Sequence, residues 1–166
     1  MQAMRSLALL AALCVPAAAA AFDANGVALG GAEALVKKQF PSAHCKPLDW
    51  KSDAADRRCD DAHIAFHGAE ARITFFLKND AVQAFDLRFS VKDVQKVVSQ
   101  LKSGYGTPHS ETNDVINRKG GEKREVYKVL WQRGKDRALL VSIKDRERVT
   151  LNVSRGNFEE EIYRVK

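Results

Sequence analysis

Alternation of apolar and polar residues dominates the central and C-terminal parts of the chain. In the first of two such runs, apolar residues fall on every second position: Ile64, Phe66, Ile73, Phe75, Leu77, Phe85, Leu87 and Phe89. The second run repeats the pattern with Tyr127, Val129, Trp131, Leu139, Val141, Ile143, Val149, Leu151 and Val153. Each run predicts three antiparallel strands with one apolar face, separated by turns at positions such as Asn79-Asp80.

Helical spacing occurs in three places. Ala32 to Phe40 predicts a short helix that Pro41 prevents from continuing. Ser90 resembles the first residue of a capping box, and a longer apolar stripe follows it until Gly104. That stripe consists of Val91, Val94, Val97, Val98 and Leu101. Near the C-terminus, Phe158, Ile162 and Val165 predict a short last helix.

The two runs align with each other when the sequence is shifted by 66 positions. The shift places Ile73 on Leu139 and Phe85 on Leu151. We therefore predict an internal repeat of a helix followed by a meander, with one half at 22–89 and the other at 90–166. The alternative is a continuous sheet whose two halves are unrelated. The expected fold class is α+β: an antiparallel sheet from two such repeats, with two main helices packed on one face.

The first 21 residues have the features of an export signal. A basic start at Arg5 is followed by an apolar run from Leu7 to Val15 and an alanine tract. We expect cleavage near Ala21 and a periplasmic or secreted protein. Cys45 and Cys59 would then be the remaining cysteines, and two cysteines in an oxidising compartment most often pair. A metal or redox pair is the alternative, but the spacing is not C-x-x-C.

Positive charge is concentrated in the second half of the chain. The formal net charge is +6, and the segment from Asn117 to Arg148 holds eleven Lys or Arg against five Asp or Glu. A possible interaction surface within or beside it consists of Lys123, Arg124, Lys128, Arg133 and Lys135. Such a surface suits an acidic protein, anionic lipid or an acidic glycan. We expect no nucleic-acid partner, because the protein is predicted to be exported and acidic residues interrupt the segment.

Candidate catalytic chemistry is sparse in the sequence. His63 and His67 have the i, i+4 spacing that binds a metal on a helix, but they fall on a predicted strand, about 13 Å apart at roughly 3.3 Å per residue. There is no G-x-S-x-G motif and no phosphate-binding loop. We expect no cofactor, no bound metal and no enzymatic activity; an envelope enzyme or metal-handling protein using Asp61, His63 and His67 is the alternative.

The predicted architecture, with a disulfide-closed loop at Cys45 and Cys59 after the first helix, resembles the secreted β-lactamase inhibitor proteins. The resemblance implies a non-enzymatic protein of two repeats that binds a target enzyme on the concave face of its sheet. Leu29-Gly30 and the segment Tyr105-Gly106-Thr107-Pro108 are also similar to small envelope lipoproteins that assist outer-membrane protein assembly. We therefore expect a binding protein that acts through contact with a partner protein in the envelope or outside the cell, and a module for anionic lipid or glycan is a further alternative.

Overall fold

The computed structural model describes residues 21–117 and 119–164, so the predicted export signal lies outside the described residues apart from Ala21. The elements are β1 Asp23–Ala24, β2 Val27–Ala28, α1 Glu33–Gln39, β3 His44–Pro47, β4 Arg57–Phe66, β5 Ala69–Lys78, β6 Ala81–Ser90, α2 Val94–Tyr105, β7 Ser110–Asn117, β8 Lys123–Arg133, β9 Asp136–Ile143, β10 Arg148–Arg155 and α3 Phe158–Glu161. A 3-10 turn over Val91–Asp93 leads directly into α2. None of the helices in the described part of the chain has the length and apolar character needed to span a bilayer.

Eight strands form one antiparallel sheet in the order β3-β4-β5-β6-β10-β9-β8-β7. The sheet thus consists of two four-stranded meanders that meet where β6 pairs with β10. Asp86 faces Asn152 at this junction, and these residues are 66 positions apart, the same shift that aligns the two runs in the sequence. The six strands predicted from alternation are confirmed, and the internal repeat stays a prediction.

The predicted fold class, with two main helices packed on one face of the sheet, is wrong. Strands make up 52% of the structure and helices 18%, and there is one helix of 15 residues when the 3-10 turn is counted with α2. The first predicted helix, α1, has only seven residues and buries Val36 alone. It is short because Phe40, which precedes Pro41, already leaves the helical conformation.

The main core lies between one face of the sheet, here called the covered face, and the elements packed on it. Helix α2 contributes Val97, Val98 and Leu101, and the β1–β2 hairpin contributes Phe22 and Val27, all buried. These residues pack on buried strand residues from both meanders, including Phe75, Phe85, Leu140 and Leu151. The alternating apolar positions of β4, β5, β6, β8 and β10 therefore face α1, α2 and the hairpin, and the residues between them face the opposite side of the sheet.

The opposite face, here called the uncovered face, carries only a small second core at one end. Phe158 and Ile162, at and just after α3, pack with Ala54 and Ala55 of the cysteine loop on Phe76. The indole Nε1 of Trp50 donates a hydrogen bond to the carbonyl of Ile162 at 2.8 Å, which ties the loop to the C-terminal segment. In the described structure, the remainder of this face has no packed element above it.

Candidate functional site

Cys45 and Cys59 form a disulfide, as the sequence predicts. The two residues are cross-strand partners in β3 and β4, and Cys59 is fully buried. The bond closes a loop with a sequence separation of 14 and fixes the edge strand β3 to the sheet. Because disulfides persist in oxidising compartments and are rare in the cytosol, the bond indicates an oxidising environment outside the cytoplasm.

The five basic residues predicted as an interaction surface do not form one patch. Lys123 opens β8, while Lys135 lies in the turn after that strand. Over the 11 residues of β8, these positions are separated by roughly 30 Å at about 3.3 Å per residue. Arg124 and Lys128 alternate onto the uncovered face, and the Nζ of Lys128 lies 3.1 Å from a carboxylate oxygen of Asp114. Lys128 is therefore paired within the protein.

Arg133, the fifth of these residues, packs on the covered face instead. Its guanidinium lies 4.7 Å from the centre of the Phe22 ring and donates a hydrogen bond to the carbonyl of Tyr105. These contacts join β8 to the end of α2 and to the N-terminal segment. Arg133 thus stabilises the fold, and the guanidinium is held away from any partner on the uncovered face.

The two candidate metal-binding histidines lie at the end of the β4–β5 hairpin. His63 is exposed, and its Nδ1 is 3.5 Å from a carboxylate oxygen of Glu70. His67 lies in the turn with a φ of 48°, and burial lowers the pKa of its imidazole although Asp23 opposes the shift. A search of residues 21–117 and 119–164 for three potential metal ligands within 4.8 Å of one another finds Glu33, Cys45 and Cys59. The sulfurs of these two cysteines are bonded to each other. Neither histidine belongs to this group.

An apolar patch occupies the uncovered face of the second meander. We use the name apolar patch for Leu130, Leu139, Val141 and Ile143. Each of these side chains is partly exposed. Leu130 lies opposite Leu139, and Val141 lies opposite Lys128, so the patch crosses β8 and β9. Its members belong to neither of the two cores. Alternation predicted Leu139, Val141 and Ile143 as core residues, but β9 places Ala138 and Leu140 on the covered face instead.

Three exposed arginines lie beside the apolar patch, on β5, β6 and β10. Arg72, Arg88 and Arg148, here called the arginine cluster, line one cavity of about 710 Å³. Arg72 and Arg88 are direct cross-strand partners. Thr150 lies opposite both Arg88 and Val141, so β10, which also carries Arg148, is the one strand between Arg88 and the apolar patch.

The neighbouring charged groups on the uncovered face have partners. Asp60 accepts two hydrogen bonds from Arg58, at 2.7 and 2.9 Å, and a third from the hydroxyl of Thr74 at 2.7 Å. Asp86 accepts a hydrogen bond from the Asn152 amide at 2.6 Å. Burial raises the pKa of Asp86 to about 6, with a smaller contribution from Glu159, while the Asn152 hydrogen bond opposes the shift.

Sequence reasoning missed the arginine cluster because it searched for basic residues that are close along the chain. Arg72 and Arg88 lie in the first half, outside the basic segment, and the sheet brings Arg148 to them. A signal was present: Arg72 stands between Ala71 and Ile73 in an alternating strand, a position that faces away from the core. The cross-strand register, which the sequence did not provide, completes the cluster.

Scans against protein-family models, curated proteins and solved structures each found no match to the chain. The site is therefore interpreted from its own geometry.

Proposed function

We propose that this chain is a non-enzymatic binding protein of the periplasm or the extracellular space that binds a partner protein through its uncovered sheet face. The observation that supports the proposal is the apolar patch, which lies beside the arginine cluster on the part of the uncovered face that α3 and the cysteine loop leave open. Apolar side chains rimmed by charged groups are typical of protein interaction surfaces. The predicted export signal and the disulfide support the location.

The charge of the chain favours an acidic partner. The formal net charge is +6 for the full chain and +5 after removal of residues 1–21, which contain Arg5 as their one charged side chain, so the protein attracts acidic surfaces over the range of the Debye length, about 10 Å at 0.1 M salt.

A pair of variants tests this proposal in an envelope extract. Val141→Asp places a charge in the centre of the apolar patch, whereas Lys38→Asp changes an exposed position of α1. We expect the unchanged protein and Lys38→Asp to recover the same acidic partner. Val141→Asp should recover at least about tenfold less of it, which corresponds to a change of about 1.4 kcal/mol in binding free energy. Far-UV circular dichroism and urea unfolding verify that Val141→Asp is folded. Equal recovery by both variants would contradict the proposal.

A further inference from the structure

We propose that the arginine cluster binds the carboxylates of an acidic segment of the partner and so anchors the partner beside the apolar patch. This inference rests on the proposed function and assigns the chemistry of its binding site.

The close placement of the three arginines makes the protein less stable without a bound anion than with one. Arg72 and Arg88 lie directly opposite each other on β5 and β6, where like charges destabilise a sheet. Partial burial lowers the pKa of the Arg72 guanidinium, and the nearby charges of Arg148 and Arg88 lower it further. The three guanidinium groups therefore repel one another, and an anion bound among them would relieve that repulsion.

Internal carboxylates neutralise the cluster only in part, because Asp86 on β6 interacts with the charge of Arg88 without forming an ion pair with it. Elsewhere on the uncovered face, Arg58 pairs with Asp60, and Lys128 pairs with Asp114. For Arg72, Arg88 and Arg148, the described residues contain no carboxylate oxygen within 4.0 Å. The three guanidinium groups next to the apolar patch are thus without an ion-pair partner among the described residues, and their hydrogen-bond donors are open to a ligand.

The chemistry of the site favours carboxylates from a protein segment. Arginine presents a planar guanidinium that binds a carboxylate through two parallel hydrogen bonds. The cavity is also lined by Glu70, Asp93 and Glu147. An anionic membrane surface would bring its charge against all of these carboxylates at once, whereas a segment of a protein can place its own carboxylates at the arginines alone. The cavity of about 710 Å³ is large enough for several side chains.

The probe for this site is an eight-residue peptide rich in glutamate and leucine, titrated by calorimetry into the protein. The test variant carries Arg72→Gln, Arg88→Gln and Arg148→Gln. Its charge-matched control carries Lys38→Gln, Lys123→Gln and Lys135→Gln, which remove the same charge at exposed positions away from the cluster. We expect the test variant to bind the peptide at least about tenfold more weakly, and the control within about twofold of the unchanged protein. Arg88→Lys keeps the charge and should lose part of the affinity.

Three results would overturn the inference. The first is an equal loss of affinity in the test variant and its control, which would indicate diffuse attraction. The second is binding to phosphatidylglycerol vesicles without binding to the peptide, which would indicate a lipid headgroup. The third is undiminished recovery of the partner from extract by the test variant. If Val141→Asp loses that partner in the same experiment, the proposed function stands and this inference alone fails. Should the triple variant not fold, Arg88→Gln with the matched Lys135→Gln gives the same comparison.

Discussion

Asp86 lies in the middle of the uncovered face, at the junction of the two meanders. Its carboxyl group is half-buried and faces Asn152 rather than an arginine in direct contact. The pKa of Asp86 is raised from 3.8 to about 6, chiefly by burial, so the folded protein holds this proton more tightly than the unfolded chain. The ionised carboxylate therefore costs stability. Below about pH 4 the cost is absent, between about pH 4 and 6 it develops, and above pH 6 it is complete.

We predict that Asp86→Asn stabilises the protein at neutral pH. Asparagine keeps the shape and can still accept the hydrogen bond from Asn152, but it carries no charge. The free energy of unfolding should rise by roughly 2 kcal/mol at pH 7 and should be nearly unchanged at pH 3.5. Urea unfolding of both proteins at the two pH values measures this difference. A destabilised variant at pH 7 would show that the Asp86 carboxylate is held by favourable interactions instead.

The alternation of apolar residues predicted which side chains are buried in some strands but not in all. Alternation correctly placed Phe75, Phe85 and Leu151 in the core. It assigned Leu139, Val141 and Ile143 to the core because an apolar side chain at every second position is the same signal on either face of a strand. In β9 the apolar run continues through Leu139, Leu140 and Val141, so both faces carry apolar residues and the sequence does not indicate which face is buried.

At the scale of elements, the disulfide and the strand that it holds are the most direct test of the fold. β3 has four residues, ends in Pro47 and contributes no fully buried side chain. Its attachment to β4 therefore depends strongly on the Cys45–Cys59 bond.

Reduction of the disulfide should lower stability by about 3 kcal/mol, because the unfolded chain regains the freedom of a loop of about 15 residues. Unfolding in urea with and without a reducing agent measures the change. Cys45→Ala with Cys59→Ala should lose somewhat more, since the buried Cys59 side chain leaves a cavity. An unchanged urea midpoint after complete reduction, verified by thiol titration, would contradict this account of the edge strand.

The strands of the eight-stranded sheet that the sequence failed to predict share one physical property. β3 and β7 are the two edge strands of the sheet, and β7 has no fully buried residue along its length. An edge strand that packs little against a core needs no apolar alternation, and its pairing comes from backbone hydrogen bonds that any sequence can make. Helix α2 was predicted because its apolar stripe is encoded locally, as is Ser90, whose hydroxyl accepts a hydrogen bond from the Lys92 N–H and caps the 3-10 turn that leads into α2.

At the scale of the whole molecule, the two faces of the sheet differ in what covers them. One face is covered by α1, α2 and the β1–β2 hairpin, which gives the sheet its rigidity. The other face presents the apolar patch and the arginine cluster side by side. The sequence predicted a basic, exported binding protein, but it assigned the interaction to residues around β8, because linear clustering of charge is visible in a sequence and cross-strand register is not.

Site-specific photo-crosslinking in living cells tests the central claim most directly. A photoreactive residue replaces Val141 on the uncovered face, and in a separate variant it replaces Ser103, which is exposed on α2 on the opposite side of the sheet. The account predicts that the residue at Val141 forms an adduct with an acidic protein of the envelope or the medium, identified by mass spectrometry, and that the residue at Ser103 does not. An adduct with that protein from Ser103 and none from Val141 would contradict the assignment of the uncovered face as the binding surface.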